Sequence, residues 1–206
     1  MEVITSDTKT HPILSPQDFE RILQVRYLDE LELSNLKTCK IIQKKCETAV
    51  AKEWITPKQK WLGHYYAQAM ERRSPLDLTI AWINPLIGYG VWTKRSIAAK
   101  AFVGEYTGVV RKRRFFGRWK NLYCFDYTIG PGRSSSLVID CQDAGNHTRF
   151  INHSSSPNLD LTSIYFKGMM RVILTAKKEI PAGAQLCYDY GEDYWEKRGY
   201  PLELTH

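Results

Sequence analysis

The chain has 206 residues, which is enough for one ordinary domain with an attached element. It contains no run of 18 apolar residues, and its N-terminus lacks the basic and apolar regions of a secretory signal peptide, so neither a membrane span nor such a leader is expected. The net charge is +7, and residues 79–206 hold most of the positive excess. This excess favours contact with a polyanion or serves general solubility, and charge alone leaves both open.

Residues 1–77 are predicted to form a helical region that begins with a frayed polar stretch at 1–14. Ser15 followed by proline is a typical helix start, and Thr56 opens another helix through a capping box with the glutamine three residues later. An approximate helical stripe spans 27–53, with a break expected near Ser34 and Asn35. The apolar faces of these helices suit ordinary packing, and a homodimer interface is the main alternative.

The second half of the chain has the pattern of short strands joined by irregular connections. Runs rich in β-branched and aromatic residues predict the strands, and glycine and proline signals separate them. The clearest predicted strands lie at 78–83, 91–92, 163–166 and 170–174. The predicted fold class is therefore α+β, with expected regions at 1–77 (helical), 78–195 (mostly β) and 196–206 (a C-terminal tail).

Several short strings in this half carry unusual polar and aromatic side chains. The two glycines of 88–90 let a ligand or another backbone approach closely, or they form a tight hairpin. The string 149–158 places hydrogen-bonding side chains beside apolar ones, and its polar groups need partners if they are buried. Tyr188 and Tyr190 would share one side of a strand, where they line a narrow slot or serve as core tyrosines.

Taken together and in this order, the strings resemble the SET-domain lysine methyltransferases. The counterparts of that family's motifs are 88–90, 105–108, 123–125, 139–141, 145–158 and 185–191. The resemblance covers about residues 79–195. The small size and the residues around the first and last motifs resemble bacterial members of the family, the chlamydial type in particular.

Zinc-binding features found in many family members are absent from this sequence. Ser155 stands where many members have a zinc-binding cysteine, and no C-x-C-x4-C pattern follows the last motif. The five cysteines form no C-x-x-C or C-x-C pair, so no metal site is expected and the thiols are interpreted as reduced. The segment after the last motif is then expected to close the active site.

The resemblance implies a fold of small, curved β-sheets (a β-clip). In this fold the segment with Asn152 and His153 passes the segment with Tyr188 and Tyr190 in a knot-like crossing, which would place these four residues together.

The resemblance also implies S-adenosylmethionine as the methyl donor, with S-adenosylhomocysteine as its product. Tyr190 is expected to orient the reacting amine and methyl group, with Tyr106 and Tyr188 beside it, and Tyr106, Phe125 and Tyr188 are expected to form the lysine channel. Trp195 either stacks on the adenine ring or is a core anchor. The expected cofactor-binding residues are Gly88, Tyr89, Gly90, Tyr123, Arg149, Asn152, His153 and Trp195.

The implied reaction is methylation of a lysine side-chain amine in a basic protein, a histone or a histone-like protein. A hydroxyl at Tyr188 leaves less room for a methylated amine, so mono- or dimethyl-lysine is the expected product. The expected location is a bacterial cytoplasm, with secretion into a host cell and its nucleus as the alternative. The competing hypotheses are an inactive SET fold that binds a basic protein or nucleic acid, and an unrelated nucleic-acid-binding protein.

One basic segment stands apart from these motifs. Residues 111–120 hold six basic side chains interleaved with three aromatic ones. They form a solvated helix face, dock on nucleic acid near the substrate, or make a membrane or other contact, and the sequence leaves these three interpretations open. No membrane partner is expected.

Overall fold

The computed structural model describes residues 1–72, 76–113, 121–131 and 136–196. The first half contains short strands as well as helices. Its elements in chain order are β1 (Glu2–Ile4), β2 (Thr10–Pro12), α1 (Pro16–Leu23), β3 (Arg26–Tyr27), β4 (Glu32–Leu33), α2 (Leu36–Ala51), α3 (Pro57–Tyr65) and α4 (Ala67–Arg72). Among the described helices, none combines the length and apolar character that a bilayer crossing requires.

The second half consists mostly of short strands. They are β5 (Leu78–Asn84), β6 (Gly88–Thr93), β7 (Phe102–Glu105), β8 (Val109–Lys112), β9 (Cys124–Asp126), β10 (Leu137–Asp140), β11 (Ala144–Gly145), β12 (Asn152–His153), β13 (Leu159–Phe166), β14 (Met169–Ala176) and β15 (Cys187–Tyr188). A 3-10 helix spans His147–Phe150 and a last helix, α5, spans Glu192–Glu196. The sheets have the strand orders β2-β1-β5-β6, β4-β8-β10-β9, β13-β14-β7, β11-β3 and β12-β15. The predicted α+β class is confirmed, and each of the four strand predictions falls within a strand.

The predicted helix starts are confirmed. The side chain of Ser15 accepts a hydrogen bond from the backbone N–H of Asp18 at 3.2 Å. Thr56 and Gln59 form both bonds of a capping box, the two halves being 3.2 Å and 2.9 Å long. Each cap satisfies backbone N–H groups that the first helical turn leaves without an intrahelical partner.

Two predictions for the first half are wrong. Residues 1–14 are not frayed, because β1 pairs in parallel with β5 and Val3 is fully buried opposite Ile80. The stripe at 27–53 is helical from Leu36 onward, and its first part instead contains β3 and β4. These strands are two or three residues long, too short to show a period, and their hydrogen-bond partners lie far away in the chain.

The first half adds strands to the sheets of the second half. β1 pairs with β5, β3 pairs with β11, and β4 pairs with β8, in each case in parallel. Helix α3 packs so closely on β13 that a side chain at Gly63 would overlap the backbone carbonyl of Tyr165. Most buried apolar residues of both halves therefore form one core cluster, and a second, smaller cluster joins Tyr66 and Met70 to Ile164 and Ile173.

The two segments predicted to cross do meet. β12 and β15 pair in parallel, with Asn152 opposite Cys187 and His153 opposite Tyr188. The side chain of Asn158 fastens the crossing, because its amide oxygen accepts from the N–H of Cys187 at 2.9 Å and its Nδ2 donates to a backbone carbonyl at 2.7 Å. Because Asn158 follows β12 in the chain and both bonds go to the segment of β15, this partly buried side chain helps to fix the relative position of the two segments.

A buried ion pair joins β7 to β14. A guanidinium nitrogen of Arg171 lies 3.0 Å from a carboxylate oxygen of Glu105, and both side chains are at most 10% exposed. Each of these two charges stabilises the other, because burying a charge without an opposite charge beside it has a high cost in free energy.

The ring of His147 is held neutral in the folded protein. Burial lowers its pKa to about 4, although Nε2 donates to the carbonyl of Val103 at 3.1 Å. We expect the free energy of unfolding to decrease as pH falls from about 6.5 to 4. In this pH range His147 becomes protonated in the unfolded chain but stays neutral in the folded protein. The loss from this group should be on the order of 1–3 kcal/mol.

Urea unfolding at several pH values measures this effect. In His147→Gln, whose amide can still donate to Val103, the dependence on pH should be shallower than in the wild-type protein. Equal slopes for the two proteins would contradict the prediction.

Candidate functional site

A cleft of about 590 Å³ lies where the crossing segments meet the β5–β6 hairpin. Of the residues predicted for the site, all but Gly90 line this cleft. They are Gly88, Tyr89, Tyr106, Tyr123, Phe125, Arg149, Asn152, His153, Tyr188, Tyr190 and Trp195. Gly90 is buried on β6, and a Cβ at this position would meet the side chains of Gln185 and Ile83 within 3 Å, at 2.8 and 2.9 Å. Its glycine therefore serves close packing beside the cleft.

Hydrogen bonds hold the crossing segments in a defined arrangement. The amide of Asn152 donates to the carbonyl of Tyr89 at 3.1 Å, which ties β12 to the hairpin. The backbone N–H of Tyr190 donates to Nδ1 of His153 at 3.2 Å. The hydroxyl of Tyr190 donates to the carbonyl of Ile151 at 2.9 Å. The phenol of Tyr190 is thus fixed at both its backbone and its hydroxyl end.

Aromatic rings form one wall of the cleft. The ring centroids of Tyr188 and Tyr190 are 4.8 Å apart, and those of Tyr106 and Phe125 are 5.8 Å apart. Trp195 stands edge-on to His153 at 4.9 Å and lies nearly parallel to Tyr190 at 6.0 Å. These spacings are typical of packed aromatic pairs.

The phenols in this wall stay protonated at neutral pH. Burial raises the pKa of Tyr106, Tyr188 and Tyr190 well above the ordinary value, and the thiol of Cys141 or neighbouring tyrosine hydroxyls raise it further. An ionised phenolate is therefore disfavoured here. The hydroxyls can act as hydrogen-bonding dipoles, whereas none is suited to remove a proton as a free anion.

Arg149 places a positive charge in the lining of the cleft. Its guanidinium lies 4.1 Å from the ring centre of Tyr123 and 4.5 Å from that of Phe150. It donates to the carbonyls of Cys141 at 2.7 Å and Gln142 at 3.1 Å. The ion pairs formed within the described ranges do not include Arg149. A buried cation with neutral partners suits an incoming carboxylate.

The sequence patterns missed part of the cleft. Residues 23–25 at the end of α1 line it, and packing of Phe19 on Phe150 at 6.1 Å brings them there. No motif could have identified them, because they reach the site through the packing of α1 alone. The other residues of the lining that were not predicted are Trp82, Leu86, Ile87, Leu122, Cys124, Gln142, Phe150 and Tyr194.

Two predicted segments fall largely outside the described residues. Of the basic segment 111–120, residues 114–120 are not described; Arg111 pairs with Asp140, and Arg113 pairs with Asp126. Of the C-terminal tail, 197–206 are not described either. Within the parts of the chain that are described, no three His, Cys, Asp or Glu side chains cluster in a way that could hold a metal ion.

Comparison with known proteins relates this geometry to one group of enzymes. The chain is 38% identical over 134 residues to histone-lysine N-methyltransferase ash1 of Drosophila melanogaster, which covers 64% of this chain and 6% of that protein. It is 32% identical over 132 residues to histone-lysine N-methyltransferase SUV39H2 of Gallus gallus, which covers 59% of this chain and 32% of that protein. The chain thus spans a third or less of the length of these relatives.

Solved structures show the same relationship. Polycomb repressive complex 2 of Chaetomium thermophilum matches with a TM-score of 0.51 and 27% identity, over 61% of this chain and 16% of that one. The same TM-score and identity hold for ctPRC2 in an autoinhibited conformation bound to S-adenosylmethionine, over 60% and 16% of the two chains. The model of the SET domain family matches residues 88–191, just over half of the chain. The chain therefore belongs to the SET-domain family.

Proposed function

We propose that this protein transfers a methyl group from S-adenosylmethionine to the side-chain amine of a lysine in a protein substrate. The observation that carries the proposal is the position of Tyr190, whose hydroxyl is fixed at the crossing beside Asn152 and His153 and in an aromatic cleft. Membership of the SET-domain family supports it, as do relatives named histone-lysine N-methyltransferases and the neighbour bound to S-adenosylmethionine.

Features of the cleft fit a cofactor with a carboxylate and an aromatic base. Arg149 offers a buried positive charge with neutral partners, and the indole N–H of Trp195 is buried without a hydrogen-bond partner among the described residues. We assign Arg149 and Tyr123 to the amino-acid end, the backbone of Tyr89 and the Asn152–His153 strand to the adjoining wall, and Trp195 to the adenine. When bound, the cofactor would supply a methyl group on a positively charged sulfur.

The aromatic wall would prepare the lysine. Only the neutral amine is nucleophilic, and an apolar channel lowers the pKa of an entering lysine because it removes water from the charged form. Tyr106, Phe125 and Tyr188 would form this channel. The oxygen of Tyr190 donates to Ile151 and still has lone pairs, so it can accept an N–H of the amine and direct the amine toward the methyl group.

We further propose a basic protein, a histone or a histone-like protein, as the substrate, and mono- or dimethyl-lysine as the product. Two settings fit this substrate class, a bacterial cytoplasm with its own basic proteins and, after secretion, the nucleus of a host cell. The exposed rings of Trp61 and Tyr65 on α3 make a homodimer a reasonable form of the protein.

The product state depends on Tyr188. Its ring lies 4.8 Å from that of Tyr190, and its hydroxyl occupies space or holds water that a methylated amine would need. Tyr188→Phe is therefore expected to shift products from mono- and dimethyl-lysine toward trimethyl-lysine. Mass spectrometry of the product measures the shift. A wild-type enzyme that makes mainly trimethyl-lysine, or an unchanged distribution in the variant, would contradict this assignment.

Two measurements test the proposed function directly. Calorimetry with S-adenosylmethionine should detect binding, and tritiated methyl transfer should label purified histones or basic proteins of the native cell. If the protein bound S-adenosylmethionine but transferred no methyl group to any basic protein, an inactive binding module would describe it better than an enzyme. Absence of cofactor binding would overturn the proposal.

A further inference from the structure

Helix α2 presents a row of lysines to solvent. At about 100° per residue, Lys37, Lys40 and Lys44 lie within about 60° of one another around the helix. All three are exposed. The buried residues of α2 lie on its opposite side; they are Thr38, Ile42, Cys46 and Ala49. The lysine row, here called the α2 lysine face, is therefore the side of the helix turned fully away from the core.

The charge of this face is only partly offset by its surroundings: one exposed carboxylate, Glu47, lies a turn beyond Lys44 and accepts a hydrogen bond from Gln43 at 3.0 Å. The first turn of α2 contains no acidic residue. At the end of β8, Arg111 and Arg113 are already paired with Asp140 and Asp126, and exposed Lys112 lies between them. The ion pairs of the described residues include none of the four lysines 37, 40, 44 and 112. The N-terminal end of the helix dipole adds to the positive potential.

These lysines border shallow depressions. One, of about 430 Å³, lies between the first turn of α2 and the end of β8 and includes Lys37 and Lys112. The next, of about 420 Å³, continues along the helix past Lys40 and Lys44. Both depressions include Lys37, so the four lysines lie along one positively charged surface, here called the track.

The sheet beneath relates this track to the aromatic cleft. In the order β4-β8-β10-β9, α2 packs beside β4 and β8 at one edge, and β9 carries Phe125 of the cleft at the other. Three strand spacings separate the edges, about 14 Å. A long polyanion on the track would thus lie near the cleft without entering it.

We propose that the α2 lysine face, with Lys112, binds the phosphate backbone of a nucleic acid. Lysines in a row act as point charges that neutralise phosphates without reading bases. A basic protein substrate would be repelled by this face, whereas the nucleic acid on which it lies would be attracted. This link to the substrate rests on the proposed function; the binding itself does not.

A lipid surface is a weaker fit for the same charges. Peripheral membrane helices insert a broad apolar face. On the α2 lysine face, Leu36 is strongly exposed at 81%, while its apolar neighbour Ile41 is half-buried, so little apolar area is available. The test therefore also measures binding to anionic lipid vesicles, for comparison with binding to DNA.

The test compares two double charge reversals in the full chain. Lys40→Glu/Lys44→Glu changes the track, and Lys177→Glu/Lys178→Glu makes the same change in charge after the far end of β14. Cys46 of α2 lies near Met170 at the start of β14, about 23 Å along the strand from Lys177. Fluorescence anisotropy with a short mixed-sequence DNA duplex measures binding, and thermal melting confirms that both variants are folded.

We expect the track variant to bind DNA at least about tenfold more weakly and the control variant to change little, since each lost phosphate contact costs roughly fivefold at about 0.15 M salt. Against the logarithm of salt concentration, the wild-type affinity should fall with a slope near 3–4 for four lysines, and the track variant should have a shallower slope. Equal losses in both variants, or binding to anionic vesicles in preference to DNA, would overturn the proposal.

Methylation assays separate this proposal from the proposed function. The track variant should methylate a free basic peptide at the wild-type rate and a DNA-bound basic protein more slowly. Loss of DNA binding in the track variant would support the lysine face even if no methyl transfer were detected with any protein. Equal methylation of the DNA-bound protein by wild-type and track variant would overturn the link to the substrate.

Discussion

Tyr190→Phe is expected to slow methyl transfer by about a hundredfold while cofactor binding stays near the wild-type level. The substitution keeps the ring that packs against Tyr188 and Trp195 and removes the oxygen proposed to direct the amine. It also removes the 2.9 Å bond to the carbonyl of Ile151. Initial rates with tritiated cofactor give the first quantity, and calorimetry gives the second.

Tyr127→Phe is a matched control for this substitution. Its hydroxyl is also buried and also donates to a backbone carbonyl, that of Met170, at the same distance of 2.9 Å, but it lies outside the cleft. Both variants should lose about 1 kcal/mol of stability with that hydrogen bond. If the two lost methyl transfer equally, the effect would be one of stability, and Tyr190 would have no special place in the reaction.

Arg171→Met is expected to lower the free energy of unfolding by about 3–5 kcal/mol. It leaves the carboxylate of Glu105 buried, without the guanidinium that lies 3.0 Å away. The loss is large because Coulomb attraction and hydrogen bonding disappear while the cost of removing the carboxylate from water remains. Urea unfolding followed by circular dichroism measures it.

The double variant Glu105→Leu/Arg171→Met separates the buried charge from the lost packing. With both charges replaced by apolar side chains, no buried carboxylate remains that has lost its guanidinium, and most of the stability should return. A double variant as unstable as the single one would show that packing around Arg171, rather than its charge, accounts for the loss.

The sequence predicted those helices whose starts are determined by residues close together in the chain. Ser15 and Thr56 cap helices with side chains three positions from their partners, so the chain near each cap is sufficient to predict the start. Strand β1 is different. Its three residues have no detectable period, and the strand exists because β5, far along the chain, supplies hydrogen bonds and covers Val3. Such strands follow from tertiary pairing and cannot be read locally.

The candidate site likewise contains residues that sequence motifs predicted and residues that only tertiary packing places there. Asn152, His153 and Tyr190 were predicted to lie together because their strings resemble family motifs, and the β12–β15 pairing brings them into one cleft. Gly90 was assigned to the cofactor by the same resemblance, yet it lies behind the cleft lining. Residues 23–25 gave no signal, because their place in the lining depends on where α1 packs.

The pairing of β12 with β15 also affects the order in which the protein folds during its synthesis. A ribosome releases the strand with Asn152 well before the one with Tyr188, and the two must pair in parallel although the paired residues are 35 positions apart. Contacts so distant in sequence form late and slowly. A nascent chain that stops before Cys187 lacks the strand that pairs with β12, so during synthesis the proposed site can be completed only after this late stretch has emerged.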